Sequence, residues 1–301
     1  DFAAMMTRER AWADRAFPGL VVLHADPRGD RSAELVDAVA SETAAFLVGG
    51  FSAAPSLEDE PESDPDSDEE SDDDDDAFEA PALGLAQALR APDRVAGRPH
   101  AGGVSGVMIG GALEIATGLT QGCLPIGPMR PVTAAEDNVI IELRDRPALD
   151  PLIEDIGPEL ARDLRSVAGR VFVAKRLPDG RPEDYVVRNL MAIDPENGWI
   201  AIGDMVEEGD EVLFCRRDPT AARDDMTRML ADLQRRAGKP PAAALYHSCA
   251  ARGPYMFRSP DREIDLIHRV FGDIPVVGFF GNGEISQGRI YGYTGVLTLF
   301  F

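Results

Sequence analysis

The chain of 301 residues is predicted to fold as a mixed α/β protein, with layered, mixed β-sheets covered by helices and two associated subdomains. Three observations predict this class. Short apolar runs of strand type recur along the chain, and a strand–helix–strand order occurs near each end. The apolar fraction of 44% is ordinary for a globular protein, so a complete core is affordable at this length.

The first strand–helix–strand unit lies near the start of the chain. Leu20–Leu23 is an apolar strand, 32–45 is a helix with an apolar face, and Phe46–Val48 is a second strand. This order favours a crossover connection between neighbouring strands. The second strand is expected to end in a glycine-rich loop, which places Gly50 and Ser52 beside a strand end, where binding residues commonly lie.

Residues 57–80 form an acidic low-complexity insert with fifteen Asp or Glu and no Lys or Arg. They account for all but eight of the 23 net negative charges, so the rest of the chain is only mildly acidic. Such a stretch repels itself and buries little, so we expect a disordered loop insertion; a partner-binding arm or a cation sink is the alternative. No basic block is present, which argues against a nucleic-acid partner.

The middle of the chain is rich in strands. Gly106–Ile109 and Glu114–Thr120 are expected to pair with each other, and a Pro/Gly-rich joint follows at 125–131. This joint predicts a boundary between an N-terminal part, 1–130, and a C-terminal part, 131–301. Beyond it we expect two short helices, at 147–156 and 158–167. We also expect five strands, at 138–143, 170–175, 185–192, 199–202 and 212–215.

The C-terminal part ends in a second strand–helix–strand unit. The longest helix, 218–236, is expected to stop at Gly238, and a strand at 244–246 is expected to end before His247, Ser248 and Cys249. A helix opening at 259–261, a strand at 275–280, a tight turn at 281–283 and a last strand at 296–301 complete the chain.

Three residues near these strand ends could bind a ligand or react with one: Cys249, Arg252 and Glu284. A guanidinium near Cys249 would stabilise a thiolate, although a free cysteine is often a small buried hydrophobe. Arg252 can grip a carboxylate, or it can form a salt bridge to Glu284 that ties two loops together. Glu284 can receive an ammonium group, so an Arg and a Glu facing one pocket would suit an amino-acid-like zwitterion.

A catalytic alternative uses Cys249 as a thiolate with His247, because both side chains would point to the same side of a strand. No Asp or Asn that would orient the histidine can be identified. The other histidines are isolated and the three cysteines, including Cys123, show no metal-ligand spacing, so we expect neither a metal nor a cofactor.

The motifs of the last sixty residues, taken together, resemble the C-terminal part of the FIST domain, named for F-box and intracellular signal transduction proteins. They are C-x-x-R-G at 249–253, the strand 275–280, the G-x-G-E-I turn at 281–285 and the strand 294–300. Stretches 102–106 and 121–123 are similar to the end of the N-terminal FIST part. The resemblance implies a sensor of a small ligand such as an amino acid, with site residues at the matching positions Cys249, Arg252, Gly253, Gly283 and Glu284. Gly50, Ser52 and Cys123 are weaker candidates from the N-terminal part.

We therefore expect a cytoplasmic sensory protein that binds an amino acid or similar small carboxylate and passes a signal to a protein partner. No apolar stretch is long enough for a spanning helix, so no membrane is expected. A cysteine-dependent enzyme and a protein-interaction scaffold remain the alternatives. Because the chain begins at Asp1, we also expect the start of the N-terminal FIST part to be missing.

Overall fold

The structure, a computed structural model, describes most of the chain outside the acidic insert. The described residues are 18–27, 29, 31–52, 93–95, 98–100, 103–178, 184–252, 256–259 and 261–301, with the backbone alone for 93–95 and 98–100. The insert at 57–80 and the candidate residue Gly253 lie outside them. None of the described helices is both long and apolar enough to cross a membrane.

Eight strands form a large mixed sheet. They are β1 (Leu20–Ala25), β2 (Phe46–Ser52), β5 (Val104–Ile109), β6 (Ile115–Gln121), β15 (Ala243–Cys249), β16 (Val276–Ser286), β17 (Arg289–Tyr291) and β18 (Thr294–Phe300). Their order is β5-β1-β2-β16-β15-β18-β6, with β17 paired to β16. The parallel pairs β1–β2 and β15–β16 come from the two ends of the chain, and the antiparallel β2–β16 pair joins them.

Three helices cover one face of this sheet: α1 (Ser32–Glu42), α3 (Pro219–Ala237) and α4 (Arg262–Phe271). Helix α3 begins where the Asp218 side chain accepts hydrogen bonds from the backbone N–H groups of Thr220 and Ala221, and it ends at Gly238 in the left-handed conformation. Its buried stripe has the spacing of one helix face, which seats it on β6 and β18: Ala222, Met226, Met229, Leu230 and Leu233.

The second sheet lies within residues 123–217. Its strands are β7 (Cys123–Pro125), β8 (Arg130–Glu136), β9 (Val139–Leu143), β10 (Arg146–Pro147), β11 (Val171–Arg176), β12 (Tyr185–Asp194), β13 (Trp199–Ile202) and β14 (Glu211–Arg217). Strand β8 pairs with both β9 and β14, so six of these strands close into a small barrel in the order β9-β13-β12-β11-β14-β8.

The barrel has its own apolar core, with Ile140, Leu152, Ile202 and Phe214 fully buried. Helix α2 (Leu149–Leu160) and the 3₁₀ turn Leu164–Val167 pack against this core. A short hairpin of β3 (Asp93–Val95) and β4 (Arg98–His100) completes the described elements. The predicted fold class, mixed sheets covered by helices, is confirmed. The strand patterns of the sequence did not predict that the second sheet closes into a barrel.

The two sheets take their strands from different parts of the chain. The barrel strands are continuous in sequence, whereas the large sheet takes strands from 20–52, 104–121 and 243–300. The boundary between 1–130 and 131–301 stays a prediction, and in space the barrel is an insertion into the large-sheet unit. The chain crosses from β6 to β7 through the single residue Gly122.

Several local expectations were wrong because tertiary pairing outweighs local signals. Strands β5 and β6 pair with β1 and β18 rather than with each other. Strand β2 runs on through the glycines to Ser52, so Gly50 lies inside the strand, and β15 includes 247–249. The expected turn at 281–283 is an irregularity inside β16, where the register to β2 shifts.

Candidate functional site

A cleft of about 840 Å³ lies between the large sheet, helix α3 and the barrel. Strand β6 lines it, β7 and β12 of the barrel face it, and α3 closes one side. Carboxylate and guanidinium groups both line it, among them Asp225 and Arg228 of α3. A cavity of this size and mixed charge can hold a small polar molecule.

Gln121 is the residue whose hydrogen bonds single it out within this cleft. Its backbone N–H donates to Asp225 Oδ2 at 2.7 Å, and its carbonyl accepts from Arg252 Nη1 at 2.9 Å. Its side-chain Nε2 donates to the Tyr185 carbonyl at 3.0 Å, which fixes the amide orientation. The remaining atom, Oε1, is buried and has no partner among the described residues. A held acceptor of this kind can meet a ligand N–H group.

Gly122 permits the close packing behind Gln121. A Cβ atom at this position would lie 2.5 Å from the Tyr293 carbonyl and 3.3 Å from Arg252 Nη1. Any side chain would therefore push apart the barrel crossing and the arginine, so glycine is required at the crossing.

Arg252 is fully buried and bonded to protein acceptors. Nε donates to Glu263 Oε1 at 2.7 Å and Nη2 donates to Thr120 Oγ1 at 3.2 Å. The guanidinium carbon lies 5.1 Å from the centre of the Phe257 ring. Arg252 also donates to the carbonyl of Gln121, so it fixes the backbone of a residue that lines the cleft without lining the cleft itself.

Glu263 is the buried counter-ion of this arginine. Its Oε1 also accepts from the Tyr246 hydroxyl at 2.6 Å, and its Oε2 accepts from Ser248 Oγ at 2.9 Å. Burial and the Glu263 carboxylate raise the pKa of Tyr246 well above its ordinary value, so the hydroxyl stays a donor. Glu284, the alternative ion-pair partner expected from the sequence, does not bind Arg252: the first turn of α4 faces β15 and brings Glu263 there instead.

Glu284 is buried beside β18 with one oxygen satisfied. Its Oε2 accepts from the Thr294 hydroxyl at 2.6 Å and from the Thr294 backbone N–H at 3.2 Å. Oε1 has no partner among the described residues. Burial raises the pKa of Glu284 to about 8, against the lowering effect of the Thr294 bonds. The protonated, neutral form of this carboxyl group is therefore favoured at pH 7.

The environment of Cys249 and His247 opposes the catalytic alternative. Cys249 is 6% exposed, and burial together with Glu284 raises the pKa of its thiol to about 12. His247 is 2% exposed, and burial together with His24 lowers its pKa to about 4. The neutral forms of both groups are thus favoured at pH 7, whereas an activated nucleophile needs a depressed thiol pKa.

The remaining candidates lie in β2, in β16 or on the cleft. Ser52 Oγ donates to the Ala25 carbonyl at 3.4 Å, and Gly50 packs closely against the ring of Phe279. Gly283 has a φ of 131°, a conformation that glycine tolerates best. Cys123 is nearly buried at the cleft, where β7 begins.

The structure thus brings Cys249, Arg252 and Glu284 into one buried region but places only Cys123 of the predicted set on the cleft itself. Gln121 and Glu263 were missed as individual residues. The 121–123 motif offered a signal for Gln121; Glu263 had none beyond its place in the first turn of a helix. Among the described residues no three His, Cys, Asp or Glu side chains are grouped to hold a metal ion.

Two family models and several relatives match the sequence of this chain. The FIST N domain matches residues 71–146 and the FIST C domain matches residues 149–287. An uncharacterised protein of Mycobacterium tuberculosis is 34% identical over 207 residues, which cover 66% of this chain and 54% of the relative. An uncharacterised protein of Mycobacterium bovis is 33% identical over 207 residues, covering 66% and 53%. The matched segment therefore spans about half the length of these relatives.

FIST domains are generally sensory or signal-transduction domains. The boundary between the two matched domains, at 146–149, falls inside the barrel, so the N and C domains share one folded unit here. The ordered motifs, the two domain matches and the similarity to the mycobacterial proteins lead to one conclusion: this chain belongs to the FIST family.

Proposed function

We propose that this chain is the ligand-binding part of a sensory protein and that it binds a small zwitterion, an amino acid or a similar small carboxylate, in the cleft at Gln121. Two facts about Gln121 carry this proposal: the residue lines a metabolite-sized cleft, and its buried Oε1 has no partner among the described residues. The proposal keeps the cytoplasmic setting and the signalling partner expected from the sequence.

The ammonium group of such a ligand would be received by Gln121 Oε1. A charge-assisted hydrogen bond to a buried acceptor is about twice as strong as a neutral one. Two further hydrogen bonds orient the Gln121 backbone, one from Arg252 to its carbonyl and one to Asp225. Arg252 is therefore assigned as a positioning residue, in place of the direct carboxylate contact predicted from the sequence.

The carboxylate of the ligand would be met by Arg228. Its Nε and Nη2 each lie 2.7 Å from Asp225 Oδ1, and 58% of the side chain is exposed, so Nη1 is left to donate to a ligand. Because the cleft is bounded by the large sheet and by the barrel, a bound ligand contacts both units. Its binding energy can then favour one arrangement of the two units, which is what a sensor requires.

The test is a thermal-shift screen of the whole chain against amino acids and small carboxylates, followed by calorimetry on each hit. A ligand at a hundredfold excess over its Kd stabilises the folded state by about 2.7 kcal/mol. Gln121→Met keeps the side-chain length but removes the acceptor, and we expect it to weaken binding about tenfold, equal to roughly 1.4 kcal/mol. Gln234→Met, on the exposed side of α3, is the control.

A ligand whose Kd is unchanged by Gln121→Met would refute the site, and a panel without any hit would refute the ligand class. Arg252→Lys adds a check on the positioning role. It keeps the buried charge but cannot reproduce the several directed bonds, so affinity should fall while Glu263 keeps a partner. No observation on the described residues favours the cysteine-dependent enzyme or the scaffold over this proposal.

A further inference from the structure

A second cavity, separate from the cleft, is lined by three arginines. This arginine pocket has a volume of about 520 Å³ and lies between the barrel and the segment that follows β15. Arg170 precedes β11, and Arg216 and Arg217 end β14, which pairs with β11, so three arginines line this one cavity. All three residues are exposed.

The positive charge of the arginine pocket is not neutralised by its surroundings. Among the described residues, Arg170 and Arg216 form no side-chain hydrogen bond or ion pair. The carboxylate in the wall, Asp155, is already bound by Arg130 through two bonds of 2.6 and 2.8 Å. The chain has 53 acidic and 30 basic residues, so most arginines would be expected to find an acidic partner. Arg170 and Arg216 do not find one within the described part of the chain.

Arg217 is held in place for such a role. Its guanidinium carbon lies 5.9 Å from the centre of the Phe172 ring, and its Nη1 donates to the Ala251 carbonyl at 3.4 Å. Side chains fixed by such contacts lose less entropy when an anion binds. The carbonyl that anchors Arg217 belongs to the residue before Arg252, so the pocket touches the same segment that supports Gln121.

Apolar side chains also line the arginine pocket, among them Ile126, Ile156, Leu160 and Met256. A pocket lined by both guanidinium groups and apolar side chains suits a ligand with an anionic head and an apolar body. Three guanidinium groups can donate more hydrogen bonds than one carboxylate can accept, whereas a phosphate presents three oxygens and up to two negative charges.

We propose that the arginine pocket is a binding site for an organic phosphomonoester, with the phosphate at Arg170, Arg216 and Arg217 and the apolar part against Ile156 and Leu160. This site is independent of the zwitterion cleft, since no residue lines both cavities.

Calorimetry with phenyl phosphate, on the whole chain at low ionic strength, tests the site. We expect phenyl phosphate to bind more tightly than inorganic phosphate, because only the ester has an apolar part, and more tightly than phenol, which lacks the charge. Arg216→Gln and Arg170→Gln should each weaken the binding about tenfold. Arg165→Gln, an exposed arginine outside the pocket, is the matched control and should leave the Kd unchanged.

Three results would overturn the proposal: no binding of phenyl phosphate, equal Kd values for phenyl and inorganic phosphate, or equal losses in Arg165→Gln and Arg216→Gln. The third would indicate general charge attraction. Gln121→Met separates this site from the cleft, since phenyl phosphate should bind that variant with an unchanged Kd. A loss there would place the phosphate in the cleft and refute the arginine pocket.

Discussion

The barrel and the large sheet differ in the side chains that they bury. The barrel buries a large apolar cluster, and its ion pair Arg130–Asp155 keeps 9% and 8% of its side-chain surface exposed. The large sheet encloses Arg252, Glu263 and Glu284, each at most 1% exposed. Burying an ion pair such as Arg252–Glu263 seldom adds stability over an apolar pair, so this network is unlike the apolar cluster of the barrel. The two units should therefore respond differently to substitution and to pH.

Removing Glu263 should produce the largest loss. Glu263→Ala leaves the buried Arg252 without its counter-ion, and we expect the free energy of unfolding to fall by about 3–5 kcal/mol. Urea denaturation at pH 7 measures this. In the double variant Arg252→Met/Glu263→Leu the unpaired charge is gone, so part of the loss should be recovered. A single-variant loss below about 1 kcal/mol would mean that the pair is not desolvated as described.

A cavity in the barrel should cost somewhat less. Leu152 is fully buried under β9 and β13, and Leu152→Ala should lower the free energy of unfolding by about 3 kcal/mol through lost burial and the space left behind. The same denaturation experiment should give the same loss at pH 6 and pH 8, because no buried charge takes part. A pH-dependent loss would contradict the contrast drawn between the two units.

Stability should also depend on pH in the large sheet. The pKa of Glu284 is raised to about 8 in the folded chain, above its unfolded value near 4.5, so the folded state holds the proton more tightly and loses stability as the pH rises between these values. His247, whose pKa is lowered to about 4, acts in the opposite direction between pH 4 and 6.5. The window from pH 6.5 to 8 therefore reports Glu284, with a loss of about 2 kcal/mol.

Glu284→Gln isolates this effect. The amide oxygen can still accept from Thr294, and no charge develops, so the variant should keep its stability from pH 6.5 to 8 while the wild type loses it. Unfolding by urea at half-unit steps of pH gives both curves. Parallel curves across this window would show that Glu284 does not titrate there.

The smallest change expected concerns the cap of α3. Asp218→Ala removes the acceptor for two backbone N–H groups and should cost about 1 kcal/mol. Thermal unfolding against Asp218→Asn, which keeps an acceptor, measures the loss. An effect as large as that of Glu263→Ala would remove the reason for treating the buried ion pair as special.

The sequence predicted elements well and their partners poorly. Helix α3 was predicted over 218–236 through its apolar stripe and its stop at Gly238, because these signals are local. Pairing is not local: nothing in Ile115–Gln121 shows that it lies beside β18. The glycines at 281 and 283 indicated a turn, yet they lie in β16, where Gly281 permits the close approach of the Phe51 carbonyl.

The sequence predicted which part of the chain holds the candidate residues, but it did not predict what each residue contacts. Cys249, Arg252 and Glu284 do share one buried neighbourhood, as their motifs suggested. Their burial could not be predicted, because it depends on the packing of α4 and on the barrel crossing at Gly122. The partner of Arg252 was mistaken for the same reason: Glu263 lies only eleven residues away, but on a helix whose orientation only the fold determines.

The position of β18 has a consequence for how the chain acquires its shape. This strand, the last in the sequence, lies between β15 and β6 in the interior of the large sheet. During synthesis the barrel strands leave the ribosome together and can form early, since their contacts span short stretches of chain. Strand β6 must wait with an unpaired edge until β18 arrives, about 170 residues later. That waiting edge is where aggregation or chaperone capture of a nascent chain would begin.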